Sequence, residues 1–295
     1  MSHTWTNYGS ATDIELFDFD ILVTTLHGLL KDPEMLHYSE IEQLMVLFEK
    51  ASYLEKHKVI ALQEYSLTSF FETAERLLGK LYLERKKIKA DSLSYRYPDL
   101  SVSDAMAAEI TQLNELSAFG LRLHNGVINF IKNVMPRLGI DNSEYLYIGS
   151  TSFEFKTSIG YPPDFEGTKY HIRNSDIYWD IPTGILNDHQ DLGSYKHQIY
   201  VLAIKWHANP HIMNGDLPTQ TGTNVTSFLL YDSKINEFDV SNLTSPISVV
   251  FPYRKSTGYN KEFLKCQYYD ESTNTFSKIG CGHGFVDSVQ LPCTT

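Results

Sequence analysis

Five histidines crowd the middle of the chain, His171, His189, His197, His207 and His211, and all three cysteines, Cys266, Cys281 and Cys293, fall near its C-terminal end. Imidazoles and thiolates are the ordinary ligands of zinc, and His207 with His211 has the spacing that puts two ligands on one helix face. Pro210 lies between them, so a helix there is disfavoured and the spacing loses its geometric meaning. The clustered thiols point to one local staple with one thiol left over, or to a metal site. Gly280-Cys281-Gly282-His283-Gly284 superficially resembles a phosphate-binding glycine loop. It lacks the full fingerprint, a following helix and a Lys-Ser/Thr pair, and reads as a turn. There is no Gly-x-Ser-x-Gly elbow and no His-Glu-x-x-His, and no nucleophile stands beside a base. The basic cluster Arg85, Lys86, Lys87 and Lys89 reads as a solvated helix end.

Composition removes further classes. The chain has 295 residues, with 36 acidic against 25 basic side chains and a net charge of -11. The basic footprint of a nucleic-acid binder is missing. Apolar residues at 42% and charged residues at 21% exclude a disordered chain and a fibrous repeat. The longest apolar runs, such as Tyr200 to Ile204, fall well short of the ~20 residues of a membrane helix. The opening Met1-Ser2-His3-Thr4-Trp5 shows no basic start followed by an apolar stretch, so no secretory signal is visible.

The elements that must position these residues change character near residue 140. Before it the apolar period is 3.6. Ser39 with Glu42 is a capping-box pair, followed by Ile41, Leu44, Met45 and Phe48 on one face of a helix over about 40–55. Leu67, Phe70, Phe71, Ala74, Leu77, Leu78 and Leu81 make a longer stripe. Ser101 with Asp104 opens another helix, carried by Ile110, Leu113, Leu121, Val127, Ile131 and Val134 until Pro136 and Gly139 stop it. These stripes read as core. After Asp141 the period is 2. Runs over 145–148, 153–156, 177–180, 198–206, 226–231, 247–253 and 264–269 are β-prone and separated by Gly, Pro, Asn and Asp clusters. The spacing predicts an α+β chain: a helical subdomain over 1–140, then an antiparallel β-sandwich over 141–295. Two sequons, Asn224-Val225-Thr226 and Asn242-Leu243-Thr244, stand at turn-to-strand junctions of the β half and favour an extracellular compartment.

The last 60 residues are the most specific. Val240-Ser241-Asn242-Leu243-Thr244-Ser245-Pro246-Ile247-Ser248-Val249-Val250-Phe251-Pro252 is followed by Cys266-Gln267-Tyr268-Tyr269-Asp270. Then come Phe276-Ser277-Lys278-Ile279-Gly280-Cys281 and Cys293-Thr294-Thr295. This series resembles the end of a GAIN domain with its GPS motif, over about 264–295. That is the extracellular autoproteolysis module of polycystins, egg-jelly receptors and adhesion G-protein-coupled receptors. Ile177-Tyr178-Trp179-Asp180-Ile181-Pro182 looks like the family strand that ends in Ile/Leu-Pro. Tyr200 to Trp206 running into Asn209-Pro210-His211 is similar to the strand and Asn-Pro turn of the polycystin branch. Tyr269 and Phe276 stand where the family has tryptophans, a change that keeps the apolar payload.

The resemblance implies a fold, a pairing and a role. The fold is GAIN-like, with the helical half as its A part and the sandwich as its B part. Cys266 pairs with Cys293, a staple worth roughly 3–4 kcal/mol in the chain-entropy model, and Cys281 is left as a free or extra thiol. Asn224 and Asn242 carry glycans. The family's His-Leu-Thr cleavage segment would follow Thr295, so the chain is expected to hold no catalytic, cofactor-binding or metal-binding residue. It is expected to be the N-terminal fragment of a larger cell-surface protein of adhesion or mechanosensing type. Its expected partner is the C-terminal, membrane-anchored remainder of the same protein, with neighbouring extracellular subunits as further partners and no nucleic acid. A structural building block of an extracellular or ciliary surface filament or coat is the alternative. A hydrolase or metal enzyme built on the histidines is the third reading.

Overall fold

The computed structural model describes residues 16–53, 64–90, 102–137, 145–173, 175–184, 197–210, 225–238, 245–252, 268–270, 275–277, 282–283 and 290–294. Contacts divide the chain into two units. One comprises Met1–Gly139, Ser150–Phe153 and Trp206–Thr219, and the other Ile140–Gly149, Glu154–Lys205 and Gln220–Thr295. Helices come first and antiparallel sheets follow, an α+β fold. No helix among the described residues is long and apolar enough to cross a membrane.

The helical unit holds α1 (Leu16–Leu29), a 3-10 turn at Pro33–Met35, α2 (Tyr38–Ser52), α3 (Glu64–Ala90) and α4 (Val102–Val134), which tightens into a 3-10 turn at Met135–Arg137. α1 and α4 each lie against both α2 and α3. The stripes of the sequence are the core: Ile41, Leu44, Met45 and Phe48 of α2, all seven apolar residues from Leu67 to Leu81 of α3, and Leu113, Val127, Ile131 and Val134 of α4 are buried. Leu121 is only partly buried and Ile110 is exposed. α1 was not foreseen, because Leu16, Phe17, Phe19, Ile21, Leu22, Val23 and Leu26 are too nearly continuous to show a period. α2 begins earlier than Ser39. Its entry is closed by the His37 backbone N–H donating to Glu40 Oε2 at 2.8 Å, which leaves Ser39 and Glu42 inside the helix.

Phenylalanines fill the centre. Phe70 stacks on Phe130 with ring centroids 3.8 Å apart and on Phe48 at 4.7 Å, and Phe19 stacks on Phe130 at 5.6 Å. Gly126 of α4 lets α2 come this close, since a Cβ there would lie 2.7 Å from Phe48 Cε1. Charges at the seams are paired. Arg122 of α4 donates to Glu49 of α2 through Nε at 2.6 Å and Nη2 at 2.7 Å, a fork that fits a carboxylate. Lys80 is fully buried and donates to the Leu36 carbonyl at 2.5 Å and to Glu84 at 2.8 Å. Burial pushes the Glu84 carboxyl up, but hydrogen bonds from Lys80 and Lys87 outweigh it and hold the group below its usual range. Lys87 of the basic cluster is thus an ion-pair partner at 2.8 Å.

Two short stretches join the helices in this unit. Phe153 lies 5.9 Å from Phe71 and 5.0 Å from Trp206, whose indole is 5.4 Å from His124. The Tyr82 hydroxyl donates to the Asn209 carbonyl at 2.8 Å, and Thr151 is hydrogen-bonded to Glu75. His124 is buried, and burial lowers its pKa to about 4 against a weaker upward pull from Asn125.

The second unit is a sandwich. β1 (Tyr145–Gly149), β2 (Phe153–Gly160), β5 (Ile199–Trp206) and β6 (Val225–Tyr231) make one sheet in the order β1-β2-β5-β6. A one-turn helix, α5 (Pro162–Phe165), interrupts the expected run of strands and leads into β3 (Thr168–His171) and β4 (Tyr178–Ile181). These join β7 (Ser248–Pro252), β10 (Gly282–His283) and β11 (Gln290–Thr294) in the order β10-β11-β7-β4-β3, and β8 (Tyr268–Asp270) pairs with β9 (Thr275–Ser277). Ile199, Val201, Ala203 and Leu230 meet Tyr170, Trp179 and Ile181 in the core, with Val249 and Phe251 packed against them. After β6 the chain turns at Asp232, whose carboxylate accepts the N–H groups of Lys234 and Asn236, each at 2.8 Å. Ile235 takes the left-handed φ of 65° there. That conformation costs a β-branched residue about 1–2 kcal/mol, and burial of its side chain to 5% exposure offsets the cost.

Two outcomes are expected. Gly126→Ala gains about 1 kcal/mol of helix propensity but drives a methyl into a fixed ring, at about 1–3 kcal/mol. Urea unfolding should show a net loss. His124 binds its proton near pH 6.5 when unfolded and near pH 4 when folded. Its contribution is complete above pH 6.5 and disappears as the pH falls towards 4, a loss of about 3 kcal/mol. Denaturation at stepped pH should show His124→Gln losing correspondingly less than the parent over that window.

Candidate functional site

The C-terminal sheet is the part that the sequence motifs single out, and its register can be followed across all five strands. Tyr170 of β3 faces Trp179 of β4, Trp179 faces Val249 of β7, Val249 faces Cys293 of β11, and Cys293 faces His283 of β10. The adjacent row runs Lys169, Asp180, Ser248, Thr294 and Gly282. Side chains alternate faces along a strand, so the two rows take opposite faces, and Tyr178 and Val250 on the face of the second row are buried as well. Tyr170 and Trp179 belong to the sandwich core, whereas Lys169 and Asp180 are exposed. Cys293 continues the row of Trp179 and Val249 in register.

β7 is central. It pairs with β11 from Ser248 to Pro252 and with β4 from Ser248 to Val250. Among the described residues, all five of β11 pair with β7, and Thr294 and Cys293 also pair with β10. Gly282-His283, read from the sequence as part of a turn, is a strand here, because cross-strand pairing supplies what glycine's own preference does not.

The rest of the row is tied down by polar contacts. The Tyr170 hydroxyl shares a 2.7 Å hydrogen bond with Ser158. Burial pushes its pKa far up, with Ser158 pulling weakly the other way. The Lys156 ammonium sits 4.3 Å over the Tyr170 ring, and burial lowers the pKa of that lysine. At the edge, Lys169 lies 4.8 Å over the Tyr178 ring and His171 lies 5.1 Å from it. This arrangement positions a strand and fixes its register.

The structure brings some of the noted residues together. Tyr269 and Phe276, the two aromatics in the family's tryptophan positions, are directly opposed across β8 and β9. Trp206 runs into Asn209-Pro210, as described for the helical unit. Cys266, Cys281, Asn224, Asn242, His189 and His211 lie outside the described residues. His171, His197 and His207 are exposed. Among the described residues no group of three or more His, Cys, Asp or Glu is placed to hold a metal ion. His283, read from the sequence as part of the Gly280–Gly284 turn, is paired in register with Cys293.

No protein-family model matches the chain, and no curated protein matches it in sequence. Among solved structures, the full extracellular region of zebrafish Gpr126/Adgrg6 is similar with a TM-score of 0.61 at 12% sequence identity, over 97% of this chain and 35% of that one. The chain thus spans about a third of that receptor region. The likeness is one of fold.

Trp179 fills the centre of the row at 1% exposure and stacks on Phe228 at 5.4 Å. Trp179→Ala should cost about 3–5 kcal/mol, read as a lower urea midpoint at an unchanged slope.

Proposed function

We propose that this chain is a GAIN-like module of a larger extracellular cell-surface protein, of adhesion or mechanosensing type, acting as a non-catalytic clamp for a strand. The observation that carries the reading is the likeness in fold, over nearly the whole chain, to the extracellular region of an adhesion G-protein-coupled receptor. That receptor class is one of those in which the module resembled by the Cys266 to Thr295 pattern occurs. The pairing of β11 with β7 supports the reading, because it holds a strand of the motif region in the sheet along all five of its described residues. On this reading Cys266 and Cys293 form the staple, Cys281 is the extra thiol, Asn224 and Asn242 are glycosylated, and the parent's membrane-anchored remainder is the partner. Chemistry in this part of the parent is limited to its own cleavage, by a segment beyond Thr295.

Non-reducing peptide mass spectrometry of the protein from its native source tests this. A Cys266–Cys293 cross-linked peptide, glycans on Asn224 and Asn242, and a fragment ending in His-Leu a few residues after Thr295 are expected. A continuation without His-Leu-Thr removes the autoproteolysis reading. If it is joined by concentration-dependent assembly in sedimentation, the chain is instead a filament or coat subunit.

A further inference from the structure

An arginine near the end of α3 is covered without being satisfied. Tyr82, Arg85, Lys86 and Lys89 follow at the i, i+3, i+4 and i+7 positions of that helix and so share one of its faces. Lys86 and Lys87 are exposed, whereas Arg85 is partly buried. The Arg85 Nε is shut off from solvent and finds no hydrogen-bond acceptor among the described residues. Its guanidinium stands near the Tyr82 phenol, whose pKa is pushed up by burial and drawn the other way by the arginine's charge. Tyr82 is itself anchored, its hydroxyl donating to the Asn209 carbonyl at 2.8 Å. The one carboxylate from Lys80 to Lys89, Glu84, is shared by Lys80 and Lys87, each at 2.8 Å. That stretch carries five basic side chains against one acidic in a chain of net charge -11. The macrodipole accounts for lysines in solvent at a helix C-terminus. It does not account for a guanidinium N–H kept from water with nothing to receive it, because such a donor is costly. A planar donor fork fits an oxyanion that offers two or more oxygens.

We propose that this face of α3 binds a sulfated polysaccharide, with a sulfate ester on the Arg85 guanidinium and further sulfates of the same chain beside the neighbouring lysines. Short runs rich in Lys and Arg serve as heparin patches as well as nucleic-acid ones. The choice of polysaccharide rests on the extracellular reading proposed above. A flexible chain can engage one basic face by itself. A flat anionic membrane would instead bring its charge within a screening length of the acidic remainder of the protein, which repels it.

The test is isothermal titration of the full chain with a heparin octasaccharide. Binding should be measurable at low salt and weaken steeply towards physiological salt, as counterion release requires. Arg85→Lys keeps the charge and loses the fork, and should weaken binding about tenfold. Lys86→Gln should weaken it about threefold. Lys86 is exposed, so its variant reads the site even if replacing the covered arginine alters the fold. Lys31→Gln, exposed outside α3, should leave the affinity unchanged. Absence of binding at low salt, equal binding of an unsulfated hyaluronan octasaccharide or of phosphatidylserine vesicles, or an affinity unmoved by both Arg85→Lys and Lys86→Gln would overturn the proposal. The native-source peptides test the extracellular reading without involving Arg85, so either can fail alone.

Discussion

Strand register is the constraint on which the C-terminal sheet depends. A strand has two faces, and a slip of one residue exchanges them. Val249 and Phe251 of β7 pack against the core while Ser248 stands beside exposed Asp180. A slip would bring the serine to the core face in place of these residues. Because β7 is paired on both sides, the same error would pass into β4 and β11. Trp179, the largest side chain in the row, makes that error costly.

The helical unit depends on a different economy of space. Three phenylalanine rings in stacked contact leave no room for another carbon at Gly126. The charges near this core are used in pairs: Lys80 with Glu84 and Arg122 with Glu49. A fully buried ammonium such as Lys80 is tolerated because a carbonyl and a carboxylate receive it together.

Much of this was readable in the sequence wherever one face of an element is apolar and the other polar. α3 and α4 announced themselves, and β5 and β7 fell within a residue or two of where alternation put them. The signal failed where its physical basis was absent. α1 is apolar on too many sides to show a period. β3 is four residues long and alternates Thr, Lys, Tyr and His, and β10 contains a glycine, so both exist through their neighbours. The attachment of Ser150–Phe153 and Trp206–Thr219 to the helical unit depends on ring contacts far apart in the chain, such as Phe71 with Phe153. The family pattern pointed to Tyr269 and Phe276 as a set, and their opposed register gives that pattern a geometric meaning. His124 was invisible, since a histidine in a helix carries no mark of whether its ring will be buried.

The pairing of β11 with β7 has a mechanical meaning. Ladder bonds between antiparallel strands lie across the strand axis. A load drawn along β11 would strain the whole five-residue ladder with β7 at once. A load drawn sideways from one end of the ladder would meet those bonds one after another, as a zipper does. The same strand is thus strong to one direction of pull and yielding to another.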